Sequence, residues 1–469
     1  MTERDLQSSF QRLKAAAAGD PFPGRDRRRN WLRALLALTE RHEQEFIAAI
    51  DADFGGRSGH ETRIAELAFV RAGVNHALSH LSSWMRTRRV ATKMIFWPGS
   101  NRLHPQPLGV VGIVSPWNYP FQLALAPATA ALAAGNRVLI KPSELTPTVS
   151  DLLARLVADH FPADVMTVIP GDAEVGKAFV ALPFDHLLFT GSTPVGRLVA
   201  QVAARNLTPV TLELGGKSPA IIDPSGDLDR AVSSISYGKL LNAGQTCIAP
   251  DYLMVPAGQA RAVADRIAAR MARLYPRFVD NPDYTAIISD RHFRRLSELV
   301  DEARAGGAEI IEVNPAREAS GNSRKFLPKI VIGAAPGTRL MNEEIFGPVL
   351  PIVEYDGIDD AVARVNGGDR PLALYWFGRD RASKQKILRE TAAGGVTIND
   401  CLMHIAQENQ PFGGVGASGM GAYHGEWGFR AFSKEKPVFE QARLNGGGLL
   451  HPPYGARFEQ VMRLFRLLT

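Results

Sequence analysis

The chain has 469 residues, 45% of them apolar and 22% charged, with 54 Lys+Arg against 48 Asp+Glu, and is expected to fold as a globular protein of two or more domains. The basic excess is densest at Arg25 to Arg29 and Arg86 to Arg89, both read as solvated helix faces, which excludes a coherent nucleic-acid stripe. Two cysteines, Cys247 and Cys401, exclude a disulfide framework and a paired metal site and point to a reducing, cytoplasmic setting.

The start, MTERDLQSSFQRL, is polar and charged, unlike a signal peptide. Residues 1 to 88 read as helices, with Trp31, Leu32, Leu35, Leu36 and Leu38 recurring at helical spacing. Residues 89 to 107 turn at Trp97-Pro98-Gly99-Ser100 and then run as an extended arm, which packs on a second subunit or forms a surface hairpin. From Leu108 strands and helices alternate: strand Val110 to Val114, helix Phe121 to Ala134, strand Val138 to Ile140, helix Thr148 to His160, strand Val165 to Ile169, helix Glu174 to Ala181, strand His186 to Phe189, helix Pro194 to Ala204 and strand Pro209 to Leu214. The uncharged run Phe121 to Ala134 is too short to cross a bilayer. Such alternation predicts a parallel, doubly wound sheet, with ligands beyond the carboxyl ends of its strands. Asn118, Lys141, Gly191 and Glu213 fall at those ends.

A second, looser α/β rhythm follows, through helix Asp290 to Ala305 and strand Ala373 to Phe377. Residues 411 to 430 are dense in glycine, Ala431 to Gln441 is extended, and 443 to 469 form a tail. The basic, apolar end of that tail suits a membrane surface or a neighbouring subunit but cannot span. The expected division is a cofactor-binding domain (1–88 and 108–212), a catalytic domain (213–430), an oligomerisation arm (89–107 and 431–442) and the tail (443–469).

Two motif matches fail on context. Gly414-x-Gly416-x-x-Gly419 follows Pro411-Phe412-Gly413 and not a strand, so it reads as a loop. Gly216-Lys217-Ser218 lacks the upstream glycine of a phosphate-binding loop, because that position is Thr211. Cys247 lies in Gly-Gln-Thr-Cys, with little bulk around its sulfur, and reads as a nucleophile; Cys401 reads as packing. Glu213, between two leucines, suits a general base whose pKa an apolar setting raises; a strand-end ion pair with Lys217 stands level with that reading. Asn118 is either an oxyanion donor or a turn residue. Lys141 and Glu144 suit ribose hydroxyls or form a surface ion pair. Gly191-Ser192-Thr193-Pro194-Val195-Gly196 opens a helix whose free amides suit a pyrophosphate or are simply capped.

Seven pieces agree in order and separation: PWNYP (116–120), KPSE (141–144), FTGSTPVG (189–196), LELGGKSP (212–219), GQTC (244–247), EEIFGPV (343–349) and PFGG (411–414). With them the chain resembles the aldehyde dehydrogenase superfamily from end to end. GQTCIAPDY (244–252), GGVTIND (394–400) and GVGASGMGAYHGEWGF (414–429) resemble its class-three branch, and DFGGRSGHET (53–62) and HPPYG (451–455) the bacterial coniferyl aldehyde dehydrogenases. The resemblance implies a Rossmann-like cofactor domain, an α/β catalytic domain and a small β oligomerisation arm making a homodimer.

It also implies that the Cys247 thiolate attacks an aldehyde and that Asn118 and the Cys247 N–H hold the oxyanion. Hydride passes to NAD or NADP, and Glu213 activates the water that releases the acid. By the same resemblance Trp117, Lys141, Glu144, Gly191, Ser192, Gly196, Glu344 and Phe346 serve the cofactor, with Glu144 favouring NAD by charge. An aromatic or other apolar aldehyde is expected, with residues 402–410 at its entrance. The competing readings are a dehydrogenase of medium- or long-chain fatty aldehydes, a CoA-acylating semialdehyde dehydrogenase, and a catalytically silent binding protein on the same fold.

Overall fold

The computed structural model describes residues 3–468 except Ser320 and Asn322. Three sheets organise the chain. The first has six strands in the order Gly419–Met420, Val210–Glu213, His186–Thr190, Val110–Val114, Arg137–Lys141 and Met166–Val168. All neighbours run parallel except the first pair. The central strands bury both faces, which is why they read as unbroken apolar runs.

Helix Gln122–Ala134 packs beneath this sheet, buried at nearly every position. Its alanines let neighbouring backbones approach closely, and it ends at Gly135 in a left-handed cap with φ of 92°. Arg28 completes that end by donating to the carbonyls of Ala133 and Ala134 at 3.2 and 2.6 Å. Arg28 is therefore buried and structural, not part of a solvated face; desolvation lowers its pKa to about 10. The other basic cluster is also corrected, because Arg88 and Arg89 lie on strand Arg88–Val90 rather than on a helix.

The second sheet has seven strands in the order Glu309–Glu312, Lys329–Ile332, Val349–Tyr355, Tyr252–Pro256, Pro219–Ile222, Ala373–Phe377 and Gly395–Ile398. Only Glu309–Glu312 runs antiparallel. Helix Asp290–Ala305 and strand Ala373–Phe377 fall where the periodicity places them. The third sheet joins Arg88–Val90, Ser100–Pro107 and Ser433–Glu440, all antiparallel, and its outer strand is largely exposed.

The glycine-dense loop departs from its sequence reading. Gly419 and Met420 pair with Glu213 and Leu212, so this stretch is an edge strand on the first sheet, laid beside Glu213. No side chain fits there: a Cβ on Gly419 would stand 2.3 Å from the Leu212 carbonyl oxygen. Among the described residues, no helix is long and apolar enough to cross a membrane.

Candidate active site

Helix Leu228–Leu240 ends in the short turn Leu241–Gly244, where Asn242, Ala243 and Gly244 take φ of 52°, 51° and 73°. Three successive left-handed residues reverse the chain sharply. A Cβ on Gly244 would meet the Gly347 carbonyl oxygen at 2.5 Å, so glycine is required. The reversal presents Cys247 half-buried against the core.

The reversal stands on a buried polar floor. Asn242 donates its N–H to Glu61 at 3.0 Å, and its side-chain amide to the carbonyls of Asn118 and Gln245 at 2.9 and 3.1 Å. Asn118 donates from Nδ2 to the Gln245 carbonyl at 3.1 Å, which spends one of its two amide hydrogens. Gln245 bonds the Ala286 carbonyl and the Ile288 N–H at 3.0 and 2.9 Å. Tyr119 and Thr246 share a hydroxyl contact of 2.7 Å. Below them Arg57 pairs with Glu66 at 3.0 Å, both side chains fully buried, and its guanidinium lies 4.9 Å from the ring centres of Phe54 and Tyr119. The π-turn Arg63–Leu67 brings Glu66 inward, where it caps helix Gln122–Ala134 through the N–H groups of Phe121 and Gln122.

Above the floor the electrostatics change. Burial, then Glu344, then Glu213 push the Cys247 thiol above its ordinary pKa; the N–H groups of Cys247 and Ile248 point at the sulfur and oppose that rise. Glu213 is only 2% exposed, and neither carboxylate oxygen has a hydrogen-bond partner. Burial raises its pKa well above the ordinary value. The ion pair considered for it is absent, because Lys217 pairs with Asp251 and donates to the Leu340 and Glu343 carbonyls at 2.9 and 3.0 Å.

Glu344 folds over Gly215, where a Cβ would fall 2.1 Å from its Oε2. It accepts from the Gly216 N–H, and burial foremost raises its pKa to about 8. Phe346, held at φ of 52°, meets Trp117 edge to face at 5.4 Å. Thus Cys247, Asn118, Glu213 and Glu344 converge, with Trp117 and Phe346 beside them.

The remaining predicted residues line the strand ends of the first sheet. Lys141 is buried, donates to the Pro142 carbonyl at 2.8 Å and stands 3.8 Å from the exposed Glu144; burial lowers its pKa. Gly191 donates to the Glu213 carbonyl at 3.0 Å. Ser192 starts helix Thr193–Ala204 without a side-chain cap. Side chains on Gly191 or Gly196 would strike Phe189 or Leu214 at 2.6 Å. An uncapped helix start, bare glycines and a carboxylate near a cationic side chain fit a dinucleotide's pyrophosphate and ribose.

The aldehyde dehydrogenase family model matches residues 12–438. The chain belongs to that family. A protein of Pseudomonas aeruginosa named "Probable coniferyl aldehyde dehydrogenase" is 47% identical over 461 residues, covering 98% of this chain and 96% of the relative. An AldH of Staphylococcus aureus, solved in a substrate-bound state, superposes with a TM-score of 0.92 at 35% identity, covering 98% of this chain and 99% of that one. An NAD-dependent aldehyde dehydrogenase of Sinorhizobium meliloti gives 0.86 at 27% identity, covering 97% and 89%. As a family member the chain is an oxidoreductase acting on aldehydes.

Sequence reasoning did not find the floor of this aldehyde dehydrogenase site. Arg57 and Glu61 lie in DFGGRSGHET (53–62), which carried a resemblance but no role, and Glu66 lies outside every quoted motif. The available signal was charged residues interleaved with apolar helix positions, which marks a buried ion pair only once the helix face is known. Tyr119, Gln245, Tyr423 and His424 stand in quoted motifs without an assigned role, Asn242 stands just before one, and His404 falls in 402–410, expected only as part of the entrance.

Proposed function

We propose that the chain oxidises an aromatic or other apolar aldehyde of the coniferaldehyde kind to its carboxylic acid, with NAD(P) as acceptor and through Cys247. The observation that carries this reading is Glu213, a buried carboxyl without any partner, acting on the same space as the sulfur. A structural acid would have been paired. An acid that must take a proton from water is held apolar and open.

The Cys247 thiol passes its proton to water and its sulfur attacks the aldehyde carbon. The free hydrogen of the Asn118 amide and the Cys247 N–H receive the oxyanion. Bound nicotinamide supplies the acceptor for the hydride that leaves this carbon. Glu213 then removes a proton from water, whose oxygen attacks the Cys247 thioester; the S–C bond breaks and the acid departs. Lys141 and Glu144 would hold the ribose diol, the amides after Gly191 and Ser192 the pyrophosphate, and Glu344, Trp117 and Phe346 the nicotinamide half, with Gly196 keeping the helix close. Val195 and Leu198, three apart and exposed on that helix, offer an apolar face to a planar base. The Glu144 carboxylate favours NAD over NADP.

The substrate reading draws on the Pseudomonas relative's name and on the rings gathered near Cys247. The arm, with Val438, Phe439, Phe96 and Trp97 exposed and Phe439 meeting Phe96, supports a homodimer joined through that sheet. Both cysteines are free, which suits a reducing cytoplasm.

The test is reduced-nicotinamide formation from coniferaldehyde with NAD and with NADP. Cys247→Ala should lower kcat/KM by about 10⁴-fold or more; full activity in that variant overturns the mechanism. Release of a CoA thioester instead of free acid would favour the acylating reading, against which Glu213 argues. Failure of the wild-type chain to bind NAD would favour the silent binding protein.

A further inference from the structure

His424 is 4% exposed, and neither ring nitrogen has a hydrogen-bond partner. A buried imidazole in that state forfeits two hydrogen bonds, and nothing in the fold recovers them. Its backbone is held at φ of 88°, so the ring is placed at the expense of an unfavourable conformation. The ring stacks on Phe412 at 5.3 Å, meets Tyr423 at 4.5 Å and leans on Phe69 at 5.7 Å. It also lines a small, partly open pocket with Phe69, Gly73, Trp84, Glu408 and Gly425.

Glu408 comes from the loop after strand Gly395–Ile398. One carboxylate oxygen accepts the Gly425 N–H at 3.2 Å; the other lies over Gly73, 3.1 Å from where a Cβ would be. Gly73 thus leaves room for a carboxylate, and the turn Tyr423–Gly425 brings His424 and Glu408 to one pocket. Packed rings join the wall of this pocket to the loop of the sulfur. The Tyr375 hydroxyl donates to the carbonyl of Ile248, next to Cys247. Tyr375 lies 6.2 Å from His404, His404 6.0 Å from Phe412, and Phe412 reaches His424. His404 bonds Thr397 through Nδ1 at 2.9 Å and leaves Nε2 unpartnered.

We propose that Glu408 and His424 form a subsite for a hydroxyl group on the aromatic ring of the aldehyde, remote from the carbonyl that Cys247 attacks. The inference rests on the aromatic-aldehyde reading above. A neutral imidazole offers one donor and one acceptor and a carboxylate offers acceptors. Only a group that both gives and takes a hydrogen bond serves all of them. A phenolic hydroxyl does so; an ether oxygen accepts only, an alkyl chain does neither, and a phenolate would face the Glu408 charge. The flanking rings suit a planar substrate.

The experiment compares kcat/KM with NAD for coniferaldehyde, its methyl-capped analogue 3,4-dimethoxycinnamaldehyde and unsubstituted cinnamaldehyde. Wild type, Glu408→Gln, Glu408→Leu and His424→Phe are each assayed on all three. Each comparison is a ratio within one preparation, so a variant that folds poorly does not distort it. The wild type should prefer the free hydroxyl over the methyl cap by about 10- to 100-fold. Glu408→Leu and His424→Phe should bring that ratio to about 1, and Glu408→Gln, which still accepts a hydrogen bond, should keep part of it. Equal kcat/KM for all three substrates in the wild type, or an undiminished preference in Glu408→Leu and His424→Phe, overturns the subsite. Failure of the wild type to oxidise any of the three overturns the aromatic-aldehyde reading itself.

Discussion

Glu66 and Glu213 are both buried glutamates near the same cysteine loop, and the protein treats them in opposite ways. Glu66 has Arg57 at 3.0 Å and two backbone N–H groups. Glu213 has no hydrogen-bond partner at either oxygen. Burial pushes both pKa values upward, but only Glu66 is offset by a cation and by donors. The floor under Cys247 is built to stay still; the space above it is left open for groups that arrive with substrate. Partner count, more than burial, separates the acid that holds the loop from the acid that can react.

The sharpest way to break the contrast is to replace each acid's function separately. Glu213→Gln should lower kcat by about 10²- to 10⁴-fold while keeping the shape of the buried site. The pH dependence carries a sign. The folded pKa of Glu213 lies above the ordinary value of 4.5, so its contribution to stability is fully present below that value and is lost as pH rises through the folded pKa. The wild type should therefore lose stability as pH rises above that value, and Glu213→Gln should lose less. Denaturant melts from about pH 4 upward decide it; parallel curves over that whole range would mean that Glu213 is solvated or paired in solution.

Removing Arg57 tests the other half. Arg57→Met leaves Glu66 buried and unpaired and deprives the Asn118 carbonyl of one donor. A loss of about 3–5 kcal/mol in urea unfolding is expected. Arg57→Met with Glu66→Leu should recover part of it, because no charge then remains uncompensated. If the double variant is no more stable than the single one, the floor depends on the amide caps of Glu66 and not on its charge pair.

The same contrast explains what could be read in advance. Strand Ala373–Phe377 and helix Asp290–Ala305 follow from local periodicity, which a one-dimensional pattern carries in full. Glu213, Asn118 and Cys247 could be singled out as candidates because each follows a strand or sits in a loop of small residues. Arg57 and Glu66 were not, since a charge in a loop and one in the next helical turn read as solvated until the fold shows them facing each other in the core. Arg28 was misread for that reason: what it caps lies more than a hundred residues away. Gly419 was misread because edge pairing with Glu213 is a long-range event that a glycine run does not announce.

The smallest expected effect probes how the floor sets the loop. Asn242 does two things, accepting a φ of 52° and donating to Asn118 and Gln245. Asn242→Gly keeps the first and loses the second; Asn242→Ala loses both. A left-handed alanine costs about 1–2 kcal/mol, and the extra freedom of glycine in the unfolded chain offsets about 0.5–1 kcal/mol of that. Asn242→Ala should thus be less stable than Asn242→Gly by about 0.5–1 kcal/mol. Activity should order them differently. The alanine variant lacks a residue suited to the reversal that presents Cys247, so its kcat should fall more than its KM rises, whereas the glycine variant retains the reversal and should lose less kcat. Equal kcat in the two variants would show that hydrogen bonds alone, and not the left-handed backbone, hold the sulfur in place.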